Sequence, residues 1–418
     1  MIEINPRTIG SCSVVLPGSK SYTHRMLIAA ALADGKSLLR GGLDSEDIHH
    51  TRSALESMGI SIAGSPEMLH VAGASGRLSP YVKEIYLGNS GTSMRLLTAV
   101  AALGVGPYIL TGSSRMQERP MDDLLLGLSQ IGVEAQSLKE NGCPPVRIHG
   151  NAPAGGPVSM NCARSSQFLT AVLLIAPYLR NGADITVVEG PVSKPYIDIT
   201  VDVMSRFGVR VERNGYQRFK VAGGQCYRAG EMTIPPDASQ ASYFWAAAAV
   251  TGGAVTVTGI DQAGCQGDIG FLEVLKKMGC RVESTANGVT VTGGNLKGIE
   301  ADMAHMPDLV PTLAVVAAFA DGATRIHNIA HLRIKESDRI RTTATELQKM
   351  GIQIKEAESE LTVWGGIPKG AEIDTYDDHR IAMSFAVAGL RVTGIRIKGE
   401  NCVAKSFPNF WEVFGSVQ

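Results

Sequence analysis

Eight cationic side chains stand in or beside segments that read as turns: Lys20, Arg25, Arg95, Arg119, Lys335, Arg339, Arg380 and Lys405. The chain as a whole is nearly neutral, with 39 basic and 40 acidic residues. Several of these cations share their turns with hydroxyl and amide groups, as in Pro17-Gly18-Ser19-Lys20-Ser21-Tyr22-Thr23-His24-Arg25, Asn89-Ser90-Gly91-Thr92-Ser93-Met94-Arg95 and Asp377-Asp378-His379-Arg380. Guanidinium forks match phosphate and carboxylate in a bidentate way, and hydrogen bonds to charged groups contribute on the order of 1.5–3 kcal/mol each. Any single Arg here is more readily a surface ion pair, which contributes little. The cluster points further, to small ligands that carry several negative charges. The even charge balance argues against nucleic acid bound over a broad surface.

Two carboxyls lie among these cations, Asp308 after Pro307 and Glu336 between Lys335 and Arg339. Carboxyls in different environments can divide acid and base work. The plainer readings stay open beside that one: Asp308 as a helix N-cap, and Glu336 as an ion-pair partner of Arg339.

The elements that must position these groups repeat. Polar anchors precede Ala-rich apolar stretches at Ser21, Thr92, Ser166, Ser239, Asp308 and Asp378, spaced 69–74 residues apart. Each stretch runs toward a glycine, at Gly35, Gly104, Gly182, Gly252, Gly322 and Gly389, which predicts helices that stop on glycine. A second series of amphipathic helices lies between them, ending at Gly59, Gly132, Gly208, Gly279, Gly351 and Gly415. Two interleaved series in one phase predict an internal sixfold repeat of about 70 residues. Between helices the sequence turns β-like, as in Ala254-Val255-Thr256-Val257, and Asn287-Gly288 predicts a hairpin. Each unit then has two helices and several short strands, an α/β fold with mixed sheets.

The 418 residues exceed one core, and two prolines in Thr233-Ile234-Pro235-Pro236 predict a division into three units plus three. If the first helices of all units point one way, their N-termini gather between two lobes, where ligands commonly bind. Seven scattered cysteines without a Cys-x-x-Cys pair read as reduced thiols, with neither disulfide framework nor zinc site. The N-terminus carries no secretory pattern, and Leu309 to Ala320, the longest apolar stretch, is too short to span a bilayer. A cytoplasmic chain is expected.

Taken together, these segments resemble the 3-phosphoshikimate 1-carboxyvinyltransferase (EPSP synthase) family. The residues that carry the resemblance are Pro17-Gly18-Ser19-Lys20-Ser21, Gly88-Asn89-Ser90-Gly91-Thr92 with Met94-Arg95, Arg119-Pro120 and Ser165-Ser166-Gln167-Phe168-Leu169-Thr170. To these add Val192-Ser193-Lys194-Pro195-Tyr196-Ile197, Lys335-Glu336-Ser337-Asp338-Arg339 and Asp378-His379-Arg380. The resemblance runs from Pro17 to Lys405. It implies two lobes, each an inside-out α/β barrel of three repeats: residues 18–236, and residues 1–17 plus 237–418, with hinges near 17–20 and 233–238. It implies transfer of the carboxyvinyl group of phosphoenolpyruvate to the 5-hydroxyl of shikimate 3-phosphate, with no cofactor or metal, and binding of the inhibitor glyphosate where phosphoenolpyruvate sits; a monomer is the default expectation.

Carried over residue by residue, the resemblance places shikimate 3-phosphate on Lys20, Ser21, Arg25, Ser165, Ser166, Gln167, Ser193, Asp308 and Lys335. It places phosphoenolpyruvate on Lys20, Gly91, Arg119, Gln167, Arg339, Arg380 and Lys405. Asp308 would be the base and Glu336 the acid, with help from Lys20; how these three divide the proton steps stays open. His379 is expected to brace its loop rather than move a proton. Two positions depart from the family pattern: His331, where many members have Asn against shikimate 3-phosphate, and Leu96, where many have Pro.

The alternative acceptor is UDP-N-acetylglucosamine. The transferase family that uses it resembles this chain in its repeats, but it usually places a reactive Cys in the loop equivalent to Thr111–Met116 and has Lys-Asn where this chain has Lys20-Ser21. Here no cysteine lies between Cys12 and Cys143. A nucleotide-binding phosphate loop fails, because Ala30 stands where its first glycine belongs ahead of Gly35-Lys36-Ser37. RNA 3′-phosphate cyclases resemble the architecture too, but the neutral balance and sparse aromatics offer no stacking platform. A non-catalytic scaffold would leave the convergent cations unexplained.

Overall fold

Helices that are apolar on all sides must be buried on all sides, and such helices fill the interior of both units of this chain. The computed structural model describes residues 1–150 and 152–417. One unit is Gly18–Ile234; the other is Met1–Pro17 together with the chain from Pro235 onward. The chain crosses between them at Pro17-Gly18 and Ile234-Pro235. A Cβ on Gly18 would lie 1.9 Å from the Gly41 carbonyl oxygen and 2.9 Å from the Ile234 side chain, so this crossing needs glycine.

The helices of the Gly18–Ile234 unit are α1 (Lys20–Leu32), α2 (Glu46–Ser57), α3 (Gly91–Ala101), α4 (Asp122–Gln130), α5 (Gln167–Ile175) and α6 (Pro195–Arg206). Every residue of α1 from Tyr22 to Leu32 is buried, and α3 and α5 are buried almost as completely. These three pack together, while α2, α4 and α6 keep one polar face. Around them lie three four-stranded sheets of one topology. In one, Glu84–Tyr86 runs parallel to Tyr108–Thr111, which pairs antiparallel with Val146–His149, and that strand pairs with Glu134–Ser137. The parallel pair needs a crossover, and α3 supplies it. The same order recurs in Gly156–Asn161, Ala183–Glu189, Arg218–Val221 and Glu212–Asn214. In the third sheet the parallel partner of Asp34–Arg40 is Glu231–Thr233, so the last strand of the unit completes the sheet of its first repeat.

The other unit repeats the plan with α7 (Ala238–Thr251), α8 (Phe271–Lys277), α9 (Val310–Ala317), α10 (Arg339–Lys349), α11 (His379–Gly389) and α12 (Phe410–Ser416). Helices α7, α9 and α11 form its interior. Two of its sheets borrow strands from the N-terminus: Ser11–Val14 runs parallel to Ala254–Thr258, and Ile2–Ile4 pairs antiparallel with Ile395–Lys398. Six sheets with helices on the inside bear out the α/β fold of six repeats with mixed sheets.

The glycines stop helices less uniformly than the spacing predicts. In the first series only Gly252 is itself a left-handed C-cap, with φ +81°. Helix α1 ends at Ala33, and Gly35 lies one residue inside the strand Asp34–Arg40. Gly389 is the last residue of α11, so this helix does end on its glycine; a Cβ there would stand 2.4 Å from the Ile4 Cβ, so the same glycine also admits the N-terminal strand. In the second series Gly59, Gly132, Gly208, Gly279 and Gly351 are left-handed, but Gly415 lies within α12. The predicted hairpin forms one residue earlier than expected, because Gly288 already pairs with Thr285.

Candidate active site

In the Gly18–Ile234 unit the polar anchors sit at the first turns of α1, α3 and α5. Lys20 opens α1, and its Nζ lies 3.1 Å from Asp47 Oδ2, a buried carboxylate on α2. Above Asp47 runs a chain of buried hydroxyls. Ser90 Oγ and Ser93 Oγ are 2.7 Å apart, Thr51 Oγ1 is 2.8 Å from Ser93 Oγ, and His24 Nδ1 is 2.8 Å from Thr51 Oγ1. That chain ties α1, α2 and α3 together where their polar ends meet.

Arg25, one turn along α1, is buried. It donates to Thr200 Oγ1 at 2.8 Å, to the Ser21 carbonyl at 2.9 Å and to the Tyr196 carbonyl at 3.2 Å. Burial lowers its pKa to about 10, with the neighbouring Tyr196 and Tyr22 opposing. Tyr196 in turn donates its backbone N–H to the Ser193 carbonyl at 3.2 Å. Ser193 has φ +53°, and its Oγ is buried with no hydrogen-bond partner among the described residues. A buried hydroxyl so placed is one that a ligand can satisfy.

Gln167 and Arg95 join α5 to α3. Arg95 Nη1 donates to Gln167 Oε1 at 2.8 Å, and Gln167 Nε2 donates to Thr92 Oγ1 at 3.0 Å. Ser165 Oγ accepts from the Gln167 N–H at 3.2 Å, and Ser166 is the N-cap position of α5. Arg119 donates to the Asn89 carbonyl at 3.0 Å and to its side-chain oxygen at 3.2 Å. Gly91 lies beneath both guanidiniums. A Cβ on it would stand 2.5 Å from Arg119 Nη2 and 2.9 Å from Arg95 Nη1.

The other unit gathers its anchors around one arginine. Arg339, the first residue of α10, is fully buried and donates to three carboxylates: Asp308 Oδ1 at 2.8 Å, Glu336 Oε2 at 2.8 Å and Asp378 Oδ2 at 2.7 Å. Burial works against its charge, but Asp378, Glu336 and Asp308 outweigh it and hold the proton more firmly than usual. Arg380 Nη2 donates to Asp308 Oδ2 at 2.7 Å, and its Nη1 to the Tyr243 hydroxyl at 3.2 Å. Both oxygens of Asp308 therefore accept from guanidinium. Burial would raise the pKa of Asp308, yet Arg380, Arg339 and Lys335 prevail and hold it well below the usual carboxylate range.

Asp308 does not cap α9, since no side chain caps either that helix or the short 3₁₀ turn Pro307–Leu309 before it. The ion pair between Glu336 and Arg339 is present. His331 is buried, and its Nε2 has no hydrogen-bond partner among the described residues. Burial, reinforced by Lys335, lowers its pKa to about 3 against the pull of Asp308. Lys405 is buried at the end of the turn Glu400–Lys405, and the next carbonyl, that of Ser406, accepts from Gln240 Nε2 of α7 at 2.7 Å. His379 is buried, 4.0 Å from Asp378.

These contacts draw in partners that the sequence reading passed over: Asp47 for Lys20, Thr200 for Arg25, Tyr243 for Arg380, and Asp268, whose Oδ2 accepts from the Ser239 hydroxyl. Asp268 is buried, and its pKa rises to about 7, first through burial and then through the nearby charge of Asp308. None of the four sits in an anchor turn, so spacing gives no signal for them.

The profile of the EPSP synthase (3-phosphoshikimate 1-carboxyvinyltransferase) family matches residues 6–414. The chain belongs to that family. The 3-phosphoshikimate 1-carboxyvinyltransferase of Methanoculleus marisnigri is 45% identical over 399 residues, covering 95% of this chain and 94% of its own. That of Shewanella amazonensis is 42% identical over 409 residues, covering 97% and 96%. The EPSP synthase structure from Acinetobacter baumannii superposes with a TM-score of 0.83 at 32% identity, covering 99% of this chain and 97% of that one. EPSP synthase membership thus spans both units and both clusters of cations.

Proposed function

We infer that the chain transfers the carboxyvinyl group of phosphoenolpyruvate to the 5-hydroxyl of shikimate 3-phosphate. The products are 5-enolpyruvylshikimate 3-phosphate and inorganic phosphate, in the route to chorismate and the aromatic amino acids. The observation that carries this reading is the family match over residues 6–414, which takes in both groups of cations. UDP-N-acetylglucosamine is not favoured as acceptor, since the relatives are named for the shikimate ester.

Each substrate brings one phosphate and one carboxylate, and we assign them as the resemblance does. Lys20, Ser21, Arg25, Ser165, Ser166, Gln167, Ser193, Asp308 and Lys335 hold shikimate 3-phosphate. Lys20, Gly91, Arg119, Gln167, Arg339, Arg380 and Lys405 hold phosphoenolpyruvate. The geometry of Arg25, of Ser193 and of the Arg119–Gly91 pair supports this assignment.

The transfer is an addition followed by an elimination. The 5-hydroxyl oxygen attacks the carbon that bears the phosphate and gives its proton to Asp308, while the methylene carbon gains a proton from Glu336 or Lys20. The tetrahedral intermediate then loses that methyl proton and the phosphate, restoring the double bond. An Asp308 held by two guanidiniums is a weak base. An anionic substrate that engages Arg339 and Arg380 shares their charge and raises the proton affinity of Asp308, so the base is strengthened when its substrate is present. We further place the enzyme in the cytoplasm as a monomer that glyphosate inhibits at the phosphoenolpyruvate site.

The test is phosphate release from the purified protein given both substrates, with each omitted in turn and with a chelator in one control. Release that needs both substrates and survives the chelator supports the reading. No release from folded protein would overturn it, and UDP-N-acetylglucosamine would then be tried as acceptor.

A further inference from the structure

Glu346 lies seven residues after Arg339 on α10, is fully buried, and takes no part in the chemistry above. Its Oε1 accepts from the Tyr376 hydroxyl at 2.6 Å, and its Oε2 accepts from the Asp374 backbone N–H at 3.1 Å and from Lys349 Nζ at 2.8 Å. Asp374 ends the strand Glu372–Asp374 and Asp378 caps α11, so two of these bonds fall on the connection between them. Within it Tyr376 and Asp377 have φ of +54° and +55°. Two consecutive left-handed residues that are not glycine persist only where the surroundings hold them.

The far end of the same corner is also gripped. Asp378 N–H donates to the Thr375 carbonyl at 2.8 Å, and Asp378 Oδ1 accepts from the Arg380 N–H at 3.0 Å. The Asp378 carboxylate accepts from Arg339 at 2.7 Å and 3.1 Å. Residues seven apart share a face of a helix. Arg339 and Glu346 therefore hold the corner from its two ends, from one side of α10.

We propose that Glu346 is a positioning residue for the transfer: through Tyr376 and Asp374 it sets the left-handed corner at 376–377, and thereby the placement of Asp378 and Arg380. A buried carboxylate is an expensive way to fill space, and an apolar residue of similar size would do that alone. What a carboxylate adds is a specified set of donors, here one backbone N–H, one hydroxyl and one ammonium. Arg380 also donates to Asp308, so a shift of the corner moves the partner of the proposed base as well. The inference rests on the assignment of Arg380 to phosphoenolpyruvate made above.

Three variants test it. Tyr376 is 43% exposed, so Tyr376→Phe removes one bond with little loss of packing. Glu346→Ala removes all three acceptor contacts, and Glu346→Gln keeps an acceptor. In protein without ligand, hydrogen–deuterium exchange across 374–382 should be faster in Glu346→Ala and Tyr376→Phe than in the wild type, and unchanged in α3 and α5. In steady state the KM for phosphoenolpyruvate should rise about ten-fold, that for shikimate 3-phosphate should stay within about two-fold, and Glu346→Gln should recover most of the loss. If Glu346→Ala does not fold, Tyr376→Phe carries the test alone. A folded Tyr376→Phe with unchanged exchange overturns the proposal, as does a KM for shikimate 3-phosphate that rises as much as that for phosphoenolpyruvate or more. Should the wild type release no phosphate, the reading of function fails, while the exchange comparison, which needs no substrate, still decides whether Glu346 holds the corner.

Discussion

At Asp308 both carboxylate oxygens accept from guanidinium, one from Arg339 and one from Arg380. That arrangement keeps the group ionised, and it makes the proposed base depend on what the two arginines hold. Asp308→Asn keeps the size and the acceptor toward one arginine but removes the base, so kcat should fall about 10²–10⁴-fold in a folded variant. Turnover near the wild-type rate would sink the assignment. At Gly91 the added methyl of Gly91→Ala meets the side-chain ends of Arg119 and Arg95 rather than backbone, so the fold should tolerate it while the guanidiniums shift. Inhibition by glyphosate should weaken more than the KM for phosphoenolpyruvate rises; equal losses in both would refute this. His331 stays neutral through the working range, because burial lowers its pKa to about 3. It therefore offers an uncharged ring nitrogen where many relatives are expected to offer an amide.

The elements matter through their first turns. Helix α7 is capped by Asp237, whose side chain accepts from the Gln240 N–H at 3.1 Å, and its start is clamped from outside by the turn at Gln266–Asp268. Gln266 accepts from the Ala238 N–H at 3.1 Å and donates to the Pro236 carbonyl at 2.7 Å, while Asp268 accepts from Ser239. After burial, the nearby charge of Asp308 in the turn before α9 raises the pKa of Asp268 further, Arg380 of α11 opposes it, and Asp237 at the cap of α7 adds to the rise. Its pKa of about 7 lies above the unfolded value, so the folded protein binds a proton there that the unfolded chain has lost. Stability is thus drawn down as pH rises from about 4 to about 7. Asp268→Asn should remove this decline. Urea unfolding should show little difference between variant and wild type near pH 4, and a gain for the variant of at most about 4 kcal/mol near pH 8, from roughly three units at 1.36 kcal/mol each. Parallel pH profiles for the two proteins would count against a proton held at Asp268.

At the scale of the molecule, both units carry residues assigned to shikimate 3-phosphate, Arg25 and Ser193 in one and Lys335 in the other. We expect shikimate 3-phosphate to slow hydrogen exchange in both units, around residues 20–25 and 193–196 in one and 331–336 in the other; protection confined to one unit would overturn that assignment. Much of this plan is legible in the residues themselves. The anchors at 69–74-residue spacing, the all-apolar stretches after them and the cations beside them locate six repeats and their buried helices, because periodicity and helix-start chemistry are local properties of a chain. Gly389 shows the limit of local reading. Its neighbours suggest a helix stop, and α11 does end on it, but nothing local shows that Ile4, from the opposite end of the chain, packs against it. The pairing of charges is of the same kind. That Lys20 meets Asp47, that Arg339 adds Asp308 and Asp378 to its sequence neighbour Glu336, and that the pKa values of Asp308 and Asp268 are pushed in opposite directions all depend on side chains brought together from elements apart in the chain. The sequence by itself determined the repeat, the family and the inventory of charged groups. Tertiary structure decided their partners, burial and proton affinities, because desolvation and Coulomb interaction act through space and take no account of position along the chain.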